Sequence, residues 1–162
     1  MSPRAGAPVR LRAGRLADAD ACARVMRAAI LGLARGTVPA RTLAAWSSLP
    51  ALYHRWAMSV GGERYLVAEH RGRVVAYAAM HGRELSACFV HPRHARRGVG
   101  ARLVRTLLAR ARRAGHASMV ALAAPGAVAF YESLGFRYGP AVRVPLPGGV
   151  AVRALKLRCR TR

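Results

Sequence analysis

The amino-acid sequence predicts a mixed α/β domain built on one sheet, with helices flanking it. Three observations point there. Three short apolar segments separated by tight turns lie between Arg64 and Val90. Apolar residues at helical spacing follow Gly98. After that the chain alternates strand, helix, strand. A length of 162 residues suits a single domain, here spanning 1–162 with its core over about 9–158. Hydrophobic residues make up 53% and charged residues 21%, a balance that folds.

Val9–Ala13 alternates and opens the sheet. Asp18 and Asp20 put acid where a helix would begin, as the macrodipole favours, and the helix runs through ACARVMRAAILGLA to Ala34. Gly36–Pro39 break it. Two short helices follow, ARTLAAWSS and ALYHRWAMS, with Pro50 opening the second. Arg64–Glu69 and Val74–His81 are strands joined by a turn at His70–Arg73, and Gly82 turns the chain into a third strand, Glu84–Val90. Gly98 and Gly100 open a helix whose inner face is Leu103, Val104, Leu107, Leu108 and Ala111. Ser118–Ala124 reads as a buried strand. Pro125 and Gly126 lead into the short helix AVAFYESL, which Gly135 closes. Val150–Arg158 is the last strand. No linker, repeat or low-complexity segment interrupts this order.

Charge is the unusual feature. The chain holds 28 basic residues and 6 acidic ones, net +22, and Lys156 is its single lysine. Such a field favours polyanions: nucleic acid, acidic membrane or a phosphorylated ligand. It equally fits arginine spread over every solvated face, since arginine occurs in nearly every segment. No helix-turn-helix, zinc pattern or aromatic RNA-binding motif accompanies the charge, so a basic nucleic-acid-binding module would rest on charge alone and bind non-specifically. Cys22, Cys88 and Cys159 are odd in number and far apart, which supports neither a disulfide framework nor a zinc site. The opening MSPRAGAPVR lacks the apolar core of a signal peptide, and the run Ala28–Ala34 is far too short to span a bilayer. A cytoplasmic protein with no membrane partner and no metal is the expectation.

The segment HPRHARRGVGARLV, from His91 to Val104, joins a strand to a helix through a glycine-bearing turn. A helix start presents unpaired N–H groups and the positive end of the dipole, and Arg93, Arg96 and Arg97 add full charges. Together they suit a pyrophosphate. A P-loop would need Gly-Lys-Ser/Thr, which Arg102 and Leu103 do not supply. A dinucleotide-binding turn would need glycine at 103, which is leucine. Downstream, after the next strand, stands GAVAFYESLGFR, Gly126–Arg137.

The two segments in this order resemble the GNAT superfamily of acyl-CoA-dependent N-acyltransferases. The first family signature falls on Ala95, Arg96, Arg97, Gly98, Val99 and Gly100; the second on Phe130, Tyr131 and Glu132 with Gly135 and Phe136. Ala95 stands where the family has Gln or Arg, and Gly126 where many members have Asn. The resemblance implies a GNAT-like fold whose central mixed sheet splays open. It implies acetyl-CoA as co-substrate, with the backbone N–H groups of Arg97, Gly98, Val99, Gly100 and Ala101, beside Arg96, holding the pyrophosphate. The pantetheine arm would lie along the strand ending at Val90 as an added strand. A backbone N–H near Phe89 or Val90 would polarise the thioester carbonyl. The acceptor would be an unidentified amine of a small molecule or a protein, and a homodimer stays open because many relatives form one. A GNAT-fold protein that binds acyl-CoA without ordinary turnover is a further alternative.

Tyr131 takes the family's general-acid position. With an ordinary pKa of about 10 it is protonated at neutral pH and can donate, though a tyrosine on this helix can equally be core. Glu84 opens the strand that leads to the turn and is the candidate base, acting through water; the alternative is a plain counter-charge to the arginines. His81, His91 and His94 flank the same region without metal-ligand spacing. Trp46, Tyr53 and Trp56 either wall the acceptor pocket or serve as core.

Overall fold

The computed structural model describes residues 8–33 and 35–161. Ala34, the expected end of the first helix, and residues 1–7, most of the segment read for a signal peptide, lie outside the described residues. Seven strands form one sheet in the order β1-β2-β3-β4-β5-β7-β6. The strands are β1 Arg10–Ala13, β2 Arg64–His70, β3 Arg73–His81, β4 Glu84–Val90, β5 Ser118–Ala123, β6 Ala141–Leu146 and β7 Val150–Arg160. The helices are α1 Ala19–Leu33, α2 Ala40–Ser47, α3 Ala51–Ser59, α4 Val99–Arg113 and α5 Val128–Ser133. Neighbouring strands run antiparallel except β4 and β5, which are parallel. The mixed sheet flanked by helices is therefore the fold expected.

Strand β6 is absent from the sequence reading. Pro140, Pro145 and Pro147 argue for turns there. As the sheet's outer strand, β6 leaves one row of backbone groups unpaired, so it can hold Pro145 opposite Ala151 without losing a needed donor.

Alternation along the strands gives each face its own core. Leu66, Ala76, Ala78, Leu85, Met119, Ala121 and Leu157 pack beneath α4 with Leu103, Val104 and Leu107. Tyr65, Val67, Tyr77, Ala79, Ala87 and Phe89 turn to the other face, against Cys22, Val25, Met26 and Ile30 of α1 and Ala57 of α3. Arg12 ties the β1 edge together. It grips both oxygens of Asp18 at 2.8 and 2.9 Å and reaches Glu69 at 2.9 Å. That guanidinium holds Asp18 below the usual carboxylate range.

The α1–α3 face buries His54 completely, its Nδ1 2.9 Å from the Tyr65 hydroxyl, while no partner meets Nε2 among the described residues. Burial pushes the imidazole from 6.5 down to about 4. The folded protein therefore binds this proton less readily than the unfolded chain. Stability is full above pH 6.5 and falls as pH drops toward 4, by up to about 3 kcal/mol. Denaturant unfolding across that window should show the loss, and His54→Asn should flatten the slope. An unchanged slope in the variant would assign the acid sensitivity to other groups.

Candidate active site

β4 and β5 share only two facing pairs, Glu84 with Val120 and Leu85 with Ala121. Beyond Leu85 they separate. The cause is local. Ala79 faces Ala87 while Met80 faces Leu85, so Ser86 is an extra residue, and its hydroxyl bonds the Ala79 carbonyl at 3.2 Å. A bulge bends and twists its strand, and here it turns β4 away from β5. The strand is consequently half-buried from Ser86 to Val90, in the middle of a sheet whose neighbour β3 is buried through Val75–Met80.

Strand alternation decides which backbone groups face that opening. The His91 N–H bonds the Val75 carbonyl at 2.9 Å, so the alternate residues Phe89 and Ala87 also spend theirs on β3. The N–H groups of Cys88 and Val90 point into the opening instead. Of the two expected carbonyl-polarising donors, Val90 turns its N–H to the opening, whereas Phe89 faces Tyr77 with its backbone and packs its ring edge-on to Trp46 at 6.0 Å.

At the wide end of the opening, a turn over Pro92–His94 leads into α4. Arg96 has φ +59° and Gly98, which precedes the first helical residue, has φ +76°. A non-glycine residue held there stores strain of about 1–2 kcal/mol, a cost that concentrates at functional turns. Left-handed residues in such a turn let neighbouring N–H groups converge on a concavity suited to an anion. The first helical bond is that of Arg102 N–H to the Gly98 carbonyl, at 3.0 Å. Among the described residues no partner meets the N–H groups of Arg96, Arg97, Gly98, Val99, Gly100 or Ala101. The two glycines do different work. A Cβ on Gly98 would meet nothing within 4 Å, so its role is the backbone angle and open access. A Cβ on Gly100 would press to 3.3 Å on both Phe130 and Val90, so its role is to seat α4 against the end of β4 and the second motif.

Tyr131 comes from α5, with only 3% of its surface exposed, against Phe130 and Phe136 at centroid distances of 5.1 and 5.4 Å. Burial raises its hydroxyl well above 10, and neighbouring Cys88 adds to the rise. The Cys88 thiol is itself pushed up to about 12 by burial, so it stays protonated and is a poor nucleophile. Tyr131 is thus a core residue that neighbours Cys88, the β4 residue whose N–H faces the opening.

Residues 32–136 match the model of the acetyltransferase (GNAT) family. The chain belongs to the GNAT acetyltransferase family. No curated protein matches it. Solved structures share the fold. A GCN5-related N-acetyltransferase from Rhodopseudomonas palustris superposes with TM-score 0.86 at 21% identity, covering 98% of this chain and 99% of that one. The PaiA N-acetyltransferase from Thermoplasma acidophilum, in complex with coenzyme A, gives 0.75 at 13% identity over 94% and 99%. A phosphinothricin acetyltransferase from Sinorhizobium meliloti, in complex with acetyl-CoA, gives 0.67 at 20% identity over 94% and 88%.

In this GNAT chain Glu84 lies at the closed end of the opening, its side chain 40% exposed and 3.9 Å from the Lys156 ammonium. Trp46 is half-buried against Phe89, while Tyr53 and Trp56 are exposed on α3, at 39% and 56%. His91 and His94 line a surface hollow of about 710 Å³ with Arg24, Arg73 and Arg93, and no metal-holding cluster exists among the described residues. Ion pairs occupy few of the arginines. Those of α4 and β7 stand exposed, as do Arg10, Arg27, Arg64, Arg71 and Arg143 elsewhere. No helix among the described residues is long and apolar enough to cross a membrane. Glu63 is the polar residue the sequence reading passed over. It sits half-buried just before β2, and burial raises its pKa.

Proposed function

We propose that the chain is an acetyl-CoA-dependent N-acetyltransferase acting on a primary amine of a small molecule or a protein, with residues 1–162 forming one such domain. The observation that carries this reading is the set of unpartnered N–H groups from Arg96 to Ala101 at the mouth of the β4–β5 opening. Acetyl-CoA fits there on chemical grounds. Its pyrophosphate answers those donors and the charges of Arg96 and Arg97. Its pantetheine amides answer the free backbone groups of Cys88 and Val90, adding a short strand. The Val90 N–H then stands ready to stabilise the carbonyl oxygen as it gains charge. Tyr131 protonates the departing sulfur, and an acidic side chain at the closed end, Glu84 in the first instance, draws the proton from the amine through water. The free thiols of Cys22, Cys88 and Cys159 support a reducing, cytoplasmic setting. A homodimer would cover the exposed Leu52 and Trp56 of α3 and Val60 just after it, and gel filtration would decide that.

Thiol release from acetyl-CoA, followed across a panel of primary amines with mass detection of the product, tests the reading. Amine-dependent thiol release with a gain of one acetyl group is expected. Tight coenzyme A binding without release for any amine would leave an acyl-CoA-binding protein without ordinary turnover.

The charge of +22 keeps a nucleic-acid-binding reading in view. Because the exposed arginines are scattered over many elements, any such binding rests on phosphate contacts alone. Its affinity should drop by about a thousandfold or more between about 50 and 200 mM salt, without sequence preference. Sequence-selective binding that survives at the higher salt would reverse the order of the two readings.

A further inference from the structure

The sheet register gathers acidic chemistry at the closed end of the β4–β5 opening. Arg64 faces Met80, Met80 faces Leu85, and His81 faces Glu84. Glu63, one residue before Arg64, continues that row. It lies two residues from Tyr65, whose side chain belongs to the α1–α3 face, so Glu63 takes the same face. The His81 ring lies 3.6 Å from the Cβ position of Gly62, which brings it beside Glu63. Ser86, the bulge residue that separates β4 from β5, donates its hydroxyl to the Ala79 carbonyl at 3.2 Å and neighbours the Glu63 carboxylate.

Glu63 is half-buried yet makes no ion pair among the described residues, in a chain with 28 basic side chains. Asp18 and Glu69 are held by Arg12, and Asp20 by Arg55. Glu132 of α5 is also half-buried without an ion pair among the described residues, but it lies outside the His81–Glu84 row. Glu84, its side chain 40% exposed, has the Lys156 ammonium at 3.9 Å. Burying a carboxylate without a cation is costly, and it is tolerated where the group must change its proton. The groups that interact electrostatically with Glu63 are Tyr53 from α3, Tyr65 on β2, Tyr77 and His81 on β3, and Ser86 and Glu84 on β4. Burial raises its pKa most, Ser86 and His81 act against the rise, and the charge of Glu84 adds to it. A raised carboxyl is a better-matched base at neutral pH than an exposed one.

We propose that Glu63, placed beside His81 and the bulge residue Ser86 by the sheet register, is the proton acceptor for the incoming amine, and that Glu84 in the same row tunes that group. This rests on the acetyl-transfer reading. The ammonium gives one proton to the Glu63 carboxylate through water, and Glu63 passes it to solvent. The neutral nitrogen bonds the thioester carbon, and the carbon–sulfur bond breaks. The thiolate takes the Tyr131 proton, and the tyrosinate regains one from the new amide nitrogen. The net yield is acetamide, thiol and one solvent proton.

The test uses the full-length protein, acetyl-CoA and two probe amines: n-butylamine, with an ordinary alkyl-amine pKa near that of lysine at about 10.4, and a peptide with a free α-amino group, at about 7.7–8.0. Glu63→Gln should lower kcat/KM for butylamine about a hundredfold near neutral pH and much less for the peptide, because more of the peptide amine is already free. Coenzyme A affinity should stay unchanged, which shows the variant folded. Glu84→Gln should keep the acid limb of the kcat/KM profile but move it to lower pH. A carbon-13 carboxyl titration of the free protein should find Glu63 above the ordinary range and lowered in Glu84→Gln. Full activity in Glu63→Gln, or loss of the limb in Glu84→Gln, or a Glu63 that titrates at or below the ordinary range, overturns the proposal alone. No transfer by the wild-type protein to either amine overturns the acetyl-transfer reading and this proposal with it.

Discussion

Gly98→Asp is expected to weaken coenzyme A binding by about a thousandfold while the fold survives. The position has room for the side chain, at a backbone strain of about 1–2 kcal/mol. Its φ of +76° is one that aspartate visits more readily than most residues, and a Cβ there meets nothing within 4 Å. A negative group at the start of α4 also suits the helix dipole and offsets part of that strain, so unfolding should shift by no more than about 1–2 kcal/mol. The new carboxylate, however, stands among the N–H groups of Arg96 to Ala101 and repels any phosphate that approaches them. Two unit charges about 4 Å apart near a protein surface interact by about 4 kcal/mol, roughly a thousandfold in affinity. Gly98→Asn, similar in shape but neutral, should lose far less. Calorimetry with coenzyme A and with pantetheine separates the terms: wild type should prefer coenzyme A strongly, and the aspartate variant should lose that preference while binding pantetheine as before. Equal affinity of the wild-type protein for both ligands would mean that the turn holds no phosphate.

The parts of this site that were legible in the sequence are those set by local chemistry. The helical spacing of Leu103, Val104 and Leu107 and the glycines before it announce α4 and its open N-terminus without help from the rest of the chain. The phase of β4 was not legible. Phe89 and Val90 are neighbours, and which of them aims its N–H at the opening depends on the pairing with β3. Nothing in ELSACFV marks Ser86 as a bulge. Strand β6 was hidden because prolines argue against strands, and only the whole sheet's order shows that it is an edge. Glu63 follows two glycines at the start of a strand and carries no motif. Its position relative to Ser86 and Glu84 arises from contacts across β3, about twenty residues away in sequence, which composition and periodicity do not encode. The scarcity of acid in this chain was the one available signal, because with 6 acidic residues each carboxylate invites a question about its partner.

Tyr131→Phe should lower kcat by about ten- to a thousandfold with acetyl-CoA affinity nearly unchanged. The ring packs against Phe130 and Phe136, so the variant keeps its shape and loses only the hydroxyl. A tyrosine whose pKa lies well above 10 looks at first like a weak acid for this task. On the proposed acetyl-transfer reading, the leaving sulfur would share its surroundings. Burial beside Tyr131 pushes the Cys88 thiol up to about 12, and a thiolate formed in the same opening is made more basic by the same desolvation. Donor and acceptor therefore rise together, and proton transfer between them stays close to balanced. The effect should consequently depend on the leaving group. A thioester whose thiol is more acidic, such as an aryl thioester of the pantetheine arm, needs no proton to depart, so the loss in Tyr131→Phe should shrink toward unity. An equal loss for both thioesters would show that the hydroxyl positions the substrate, and no loss for either would make Tyr131 a core residue whose hydroxyl takes no part in the chemistry.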